Sequence, residues 1–233
     1  MPPEKYELLY GALASKGLSL INNPEQFRHC HHLPQWIDLF SENETPQTVW
    51  FDQEKCELDD FDLIINGLQI FDGAPCILKD FVKSEKHKWA EACYIPDSSN
   101  RADVERITKR FLELKAGNLE GGLVFRKFLR FQPLANHSRS GMPLTREYRL
   151  FVLDGKIICS SNYWDEGVYE DCGPPLDFFA PLARRPRSRF FSMDVAQTVD
   201  DRWLIVELGD GQVSELPENA NVSLFFEALN RGL

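Results

Sequence analysis

Ser192-Met193-Asp194-Val195-Ala196 and Arg202-Trp203-Leu204-Ile205-Val206-Glu207-Leu208-Gly209-Asp210-Gly211-Gln212 are two apolar runs, each with one carboxylate among residues that favour burial. Their pattern predicts adjacent strands that present Asp194 and Glu207 to the same place. A buried carboxylate needs a partner, and a divalent cation is the strongest one available. Taken singly, each acid also fits an ordinary strand-end carboxylate facing water.

Upstream, Arg146 to Leu153 reads as a strand holding Glu147 and Arg149, and Asp154-Gly155 turns it back into Lys156 to Tyr163, a hairpin. Gly122 to Phe131 is a strand holding Arg126, and Cys76 to Val82 an apolar run interrupted by Lys79 and followed by the polar loop Lys83 to Lys88. A helix is expected over Arg101 to Lys115, capped by Asn100, with Val104, Ile107, Phe111 and Leu114 on one face and Gly117 as its stop. The Pro-, Gly- and Asp-rich stretch from Trp164 to Pro186 reads as a surface or lid loop, and Asn221 to Arg231 as a final helix. Toward the N-terminus the spacing predicts a helix over 4–17, a short strand over Leu18 to Ile21, and a helical stretch from Pro24 to Trp36 interrupted by Pro34. A strand entered at Thr45 to Trp50 and a helix over Asp59 to Phe71 complete this part.

The 233 residues can hold one large domain or two small ones, and 43% hydrophobic content marks a globular chain. There is no run of about 18 apolar residues and no apolar signal core after Met1-Pro2-Pro3, so a soluble, cytoplasmic protein with no membrane partner is expected. The six cysteines (Cys30, Cys56, Cys76, Cys93, Cys159, Cys172) form no close pair and fit reduced, buried thiols. His29-Cys30-His31-His32 lacks the spaced second ligand group that structural zinc needs. A net charge of −10 argues against nucleic-acid binding. The local patch Arg184, Arg185, Arg187 and Arg189 fits a solvated loop and a substrate contact equally.

Lys79, Arg126 and Arg149 each interrupt an apolar run. On strands buried on both faces, three unpartnered cations would cost several kcal/mol apiece. A polyphosphate would neutralise them, and Asp194 with Glu207 would hold the magnesium that accompanies it. The alternative puts the cations on the wet face of an antiparallel sheet. Neither Gly-x-x-x-x-Gly-Lys-Ser/Thr nor Gly-x-Gly-x-x-Gly occurs, nor a Gly-x-Ser-x-Gly elbow, so a bound nucleotide would rest on strands and side chains.

In chain order, Ile77-Leu78-Lys79-Asp80-Phe81-Val82-Lys83-Ser84, Leu123-Val124-Phe125-Arg126-Lys127-Phe128, Glu147-Tyr148-Arg149-Leu150-Phe151-Val152-Leu153-Asp154-Gly155, and Met193-Asp194-Val195 with Val206 to Gln212 resemble an ATP-grasp domain. More narrowly they resemble the clade marked by two arginines and one lysine, which includes a eukaryotic cell-division-cycle factor that assists assembly of a translation initiation factor. The similarity spans roughly residues 15–220.

The resemblance implies an α+β ATP-grasp fold, with two α+β subdomains sandwiching a nucleotide. A short pre-ATP-grasp-like lead-in would cover 1–72, a small subdomain 73–125 and a large subdomain 126–233. Lys79 would contact the α- and β-phosphates, with Ser84 over the phosphates and Glu147 also on the nucleotide. Lys127, Phe128 and Leu129 would meet adenine. Arg126 and Arg149 would face the phosphates or the reacting acyl group, and Asp194 and Glu207 would bind Mg2+. Many ATP-grasp enzymes carry Asn two residues after this Glu. Here that position is Gly209, which leaves Asp210 or Gln212 to supply the oxygen.

The implied function is an ATP- and magnesium-dependent carboxylate-amine ligase working through an acyl phosphate, with a protein or peptide among the candidate substrates. The alternatives are an ATP-binding assembly or chaperone-like factor with little turnover, and phosphotransfer to a small molecule.

Overall fold

The computed structural model describes residues 1–136, 138, 143–169 and 173–232. In chain order the helices α1 (Pro3–Ala14), α2 (Pro24–His31) and α3 (Leu33–Trp36) lead into β1 (Thr48–Asp52), α4 (Phe61–Leu68), β2 (Cys76–Lys79), β3 (Tyr94–Ile95), α5 (Arg101–Leu114) and β4 (Gly122–Lys127). Then come β5 (Pro133–Asn136), β6 (Pro143–Thr145), β7 (Glu147–Leu153), β8 (Lys156–Asn162), α6 (Leu176–Leu182), β9 (Phe190–Gln197), β10 (Trp203–Asp210) and α7 (Val222–Gly232). The chain forms two compact units, Met1–Thr45 with Arg130–Leu233, and Pro46–Leu129.

Pro46–Leu129 holds a sheet of order β1-β4-β2-β3 with every neighbour antiparallel. Side chains alternate along each strand, so one face carries Phe51, Leu78, Leu123 and Phe125. Ile64 and Leu68 of α4 and Val104, Ile107 and Phe111 of α5 cover that face in a single core. Each large side chain buried there contributes about 1.5–3 kcal/mol of transfer free energy. The opposite face carries Trp50, Lys79, Val124 and Arg126, since Arg126 lies opposite Ile77 and Thr48, and Lys79 opposite Val124.

Met1–Thr45 with Arg130–Leu233 is built on a second antiparallel sheet of order β10-β9-β7-β8. Asp154 (φ 47°) and Gly155 (φ 74°) both sit in the left-handed region, which gives the β7–β8 hairpin the tight turn that its Asp-Gly pair predicts. Phe225 and Leu229 of α7 pack on Phe151, Leu153 and Phe190. The N-terminal segment is stitched to β9 by Asn22, which is fully buried, donates from Nδ2 to the Phe190 carbonyl at 2.6 Å and accepts the Phe190 N–H at 3.0 Å.

Several local expectations change. Residues 18–21 form no strand: Leu18 is 58% exposed, and the chain there runs irregularly into the Asn22 anchor. The expected strand through Val82 stops at Lys79, where Asp80 turns the chain. The stretch expected as a loop over 164–186 contains α6, because Phe179 and Leu182, one helical turn apart, are both buried. Its residues 170–172, Cys172 included, lie outside the described residues.

The boundaries expected at 72/73 and 125/126 also differ from the division observed. β1 pairs with β4 and α4 shares their core, so residues 46–72 belong with the β2–β4 sheet rather than with a lead-in. Among the described residues no helix is long and apolar enough to cross a membrane.

Candidate functional site

On the β7–β9–β10 sheet, Arg149 lies opposite Asp194, and Asp194 opposite Glu207. The three therefore stand in one row on one face. The row depends on an irregularity in β10, where Ile205 pairs with Val195 and Glu207 with Asp194, so Val206 is bulged out. Without that extra residue the alternation would send Glu207 to the other face.

Asp194 is only 6% exposed and takes a bidentate ion pair from Arg149, Nε to Oδ1 at 2.7 Å and Nη2 to Oδ2 at 2.8 Å. Burial pushes its carboxyl pKa up, Arg149 pulls it down, and neighbouring Glu207 adds to the upward push. Burial works against the Arg149 charge as well, but Asp194 more than offsets it and raises the guanidinium pKa. Arg149 also lies 4.8 Å over the Tyr163 ring and donates from Nη1 to the Glu215 carbonyl at 2.8 Å. Burial, then the Asp194 charge, pushes the Tyr163 phenol up to about 12. A cavity of about 300 Å³ opens beside Arg149, lined by Tyr163, Trp164, Glu215 and Glu218 among others.

Asp194 with half-buried Glu207 fits a magnesium ion by donor type, two adjacent carboxylates of which one is already desolvated and oriented. Asp210 and Gln212 do not join them. Asp210 lies opposite Phe191, hence on the other face, and is 1% exposed. Its carboxylate accepts from Asn22 Nδ2 and from the Gln212 N–H at 3.0 Å. Gln212 Oε1 accepts the Asn22 N–H at 2.9 Å and the Tyr6 hydroxyl at 3.3 Å. Both side chains fasten the N-terminal segment to the end of β10.

On the face that Glu207 shares, the position two residues on is Gly209, opposite Ser192. A Cβ there would come within 2.8 Å of Ser214 Oγ and 2.9 Å of Ser192 Oγ, hydroxyls that hydrogen-bond each other at 2.7 Å. The two serines occupy the space an asparagine would need. They escape a reading of the sequence, in which only the glycine signals them. Glu147, two residues before Arg149 on the same strand face, accepts a short hydrogen bond from the Thr145 hydroxyl.

In Pro46–Leu129, Lys79 and Arg126 share a sheet face and are each 4% exposed. Ser84 bridges back to Lys79 across a tight loop. After β4, the Phe128 N–H donates to the Pro75 carbonyl at 2.8 Å, and the Phe128 ring meets the edges of Tyr94 and Trp89 at 5.2 and 5.8 Å. Trp89 stacks on Tyr94 at 5.1 Å and is 41% exposed. Neither ring is anticipated from sequence, since both follow a loop that reads as polar. Lys127, whose N–H donates to the Gln47 carbonyl, and Leu129 flank Phe128 at the strand end, both half-buried.

Half of the arginine patch is engaged within the fold: Arg185 pairs with Glu44 at 2.8 Å and Arg189 with Asp154 at 2.9 Å. In the histidine cluster Cys30 is fully buried and His31 stacks on Phe27 at 4.8 Å.

One unit is an antiparallel sheet backed by two helices, and the other a sheet presenting an arginine and two carboxylates in a row, in a chain whose family match is to the ATP-grasp class. Residues 70–229 match the model of an ATP-grasp domain, family 3 of the clade marked by two arginines and one lysine, and the chain belongs to that family. Among similar solved structures is the ATP-grasp ligase PsnB complexed with a minimal precursor, with 15% identity and a TM-score of 0.58 over 98% of this chain and 69% of that one. Cdc123 from Schizosaccharomyces pombe, C-terminally truncated, has 15% identity and a TM-score of 0.56 over 82% of this chain and 87% of that one. The D-alanine-D-alanine ligase from Coxiella burnetii has 12% identity and a TM-score of 0.61 over 96% and 60%. At these identities the likeness establishes the fold. No match to a curated protein sequence was found.

Proposed function

We propose that the protein is an ATP- and magnesium-dependent carboxylate-amine ligase. The observation that carries this reading is the row Arg149, Asp194, Glu207 on one sheet face in a chain of this ATP-grasp clade. Magnesium, when bound, would supply a Lewis acid that neutralises developing charge on a transferred phosphoryl group. Asp194 and Glu207 would hold it. Arg149 orients Asp194 and favours its charged form against the opposing effect of burial, and its stack on Tyr163 fixes the guanidinium.

The reading assigns Lys79, Ser84 and Arg126 to nucleotide phosphates and Glu147 to the nucleotide. Adenine is assigned to the strand end at Lys127, Phe128 and Leu129, where Trp89 and Tyr94 add aromatic surface. A carboxylate substrate would be activated as its acyl phosphate and an amine would displace the phosphate. No protein nucleophile is required, so positioning and fixed charge would carry the rate.

PsnB is seen with a minimal precursor, with a phosphomimetic variant of that precursor together with Mg and ADP, and with the precursor peptide PsnA2 and AMPPNP, which supports a peptide as one substrate class. The fold likeness to Cdc123 favours a second reading, an ATP-binding assembly factor with little turnover. Screening pooled carboxylates, peptides and amines for substrate-dependent ADP release separates the two. ADP release with a new mass on an acceptor supports the ligase. Tight, magnesium-dependent ATP binding without turnover supports the factor, and no ATP binding at all refutes both.

A further inference from the structure

We infer that Lys115 is a positioning residue which presets the 79–85 loop as a fixed cradle for nucleotide phosphates; this rests on the nucleotide reading above. Its ammonium is 3.1 Å from Asp80 Oδ2 and 3.0 Å from Glu85 Oε1. Asp80 is 2% exposed and Lys115 8%. Between those two carboxylates the chain makes the whole turn. Asp80 Oδ1 accepts the N–H groups of Val82 and Lys83 at 2.7 and 2.5 Å, and the Asp80 N–H donates to the Lys83 carbonyl at 3.0 Å. One lysine at the C-terminal end of α5 therefore clamps both ends of the loop that seats Ser84 against Lys79.

The other side of the loop is fixed as well. The Phe81 N–H donates to the Glu120 carbonyl at 3.1 Å, and the Phe81 ring lies against Gly121. A Cβ at Gly121 would fall 2.1 Å from that ring, and its φ of +79° disfavours other residues. The loop contains no glycine. Its shape is held by side chains, and flexing it would break the buried Asp80–Lys115 ion pair and the pairing of Lys115 with half-buried Glu85.

Lys115 acts on the loop rather than on the ligand. Its charge is spent on two carboxylates, so it has none to offer a phosphate directly. A buried ion pair such as Asp80–Lys115 is also a poor device for stability alone, because apolar residues of the same size do as well, whereas it fixes geometry. Preset donors bind charge without the entropy cost of ordering a loop.

The test compares AMP, ADP and ATP affinities, by calorimetry with magnesium present, in the native chain and in Lys115→Met, Lys115→Arg and Glu85→Gln. By the nucleotide reading the loop follows the phosphate chain from Lys79 onward, and AMP offers it one phosphate where ATP offers three, so Lys115→Met should weaken ATP about tenfold and AMP no more than about threefold. Lys115→Arg should recover most of the ATP affinity. Glu85→Gln, which leaves the Asp80 turn intact and is expected to fold even where Lys115→Met does not, should show a smaller loss with the same ATP-over-AMP bias. Equal weakening of AMP and ATP, or no weakening in either variant, overturns the inference while leaving the nucleotide site standing. A native chain that binds no ATP refutes the underlying reading and this inference with it.

Discussion

Replacing Arg149 by Met tests how the Asp194 carboxylate is kept charged inside the sheet. The ion pair is enclosed, with side-chain exposures of 13% for Arg149 and 9% for Asp194. Removing one partner of such a pair strands the other and costs about 3–5 kcal/mol. The lower end applies here, because Met fills part of the volume and water can reach the Tyr163 side. About 3 kcal/mol corresponds to a Tm loss of roughly 6–12 °C for a unit of this size.

The deficit has a pH signature. Burial already raises the Asp194 pKa, and the substitution removes its strongest downward pull. A carboxyl whose folded pKa lies above its unfolded value stabilises the fold below the unfolded value, about 4, and that contribution is lost as pH rises through the folded pKa. The variant should therefore approach the native protein near pH 4 and show its full deficit above pH 7, by thermal or urea unfolding at both pH values. Adding Asp194→Asn should recover much of the loss, since no charge is then stranded. A loss below about 1 kcal/mol at pH 7, or a deficit that grows as pH falls, would refute the account of a charge held by Arg149.

Glu207→Gln should weaken magnesium-dependent ATP binding by at least about tenfold, while Glu215→Gln, which keeps the backbone carbonyl that Arg149 uses, should change it little. Equal effects in a magnesium titration would contradict the assignment of Glu207. Asp210→Ala should cost about 2–3 kcal/mol by urea unfolding, since it leaves Asn22 Nδ2 short of a buried acceptor, yet keep the magnesium dependence of ATP binding. A lost magnesium response in the folded variant would return Asp210 to the metal. Burial pushes the Cys76 and Cys93 thiols up to about 12 and 11, and raises Cys30 further. At pH 8 a maleimide should therefore modify half-buried Cys56 and Cys159 well before these three in the native protein, as read by mass spectrometry. Early modification of Cys76 would mean that the β2–β4 core opens readily.

Period-two alternation, the Asp154-Gly155 turn and the Asn100 cap are local signals, and the strands and helices that rest on them stand where the sequence places them, within a few residues at the ends. The row Arg149, Asp194, Glu207 is legible only in part. Each residue interrupts an apolar run, but the bulge at Val206 that aligns Glu207 with Asp194 leaves no mark in composition. Asp210 and Gln212 mislead for the same reason. Their oxygens have the right chemistry, and only the fold reveals that Asp210 meets Asn22, and Gln212 meets Asn22 and Tyr6, instead. The loop expected over 164–186 gives way to α6 because its proline and glycine content masks Phe179 and Leu182, the two side chains that α6 buries.

Asp194 and Glu207 face the same cation chemistry from opposite starting conditions. Asp194 is desolvated and locked by two hydrogen bonds to Arg149, which offset part of its cost of burial before any ligand arrives. Half-buried Glu207 still has to shed water and settle on one rotamer. A cation drawn to the row would find one ligand preset and one adaptable, with Ser192 and Ser214 closing the side where a carboxamide would otherwise reach as third ligand. Such a site holds Mg2+ loosely by itself, because Mg2+ demands near-octahedral oxygen geometry that two carboxylates cannot complete. Phosphate oxygens would complete it, which ties metal affinity to the nucleotide and predicts that magnesium and ATP raise the Tm together far more than the sum of their separate effects. Differential scanning fluorimetry over a grid of both ligands measures that coupling directly, and strictly additive shifts would contradict it.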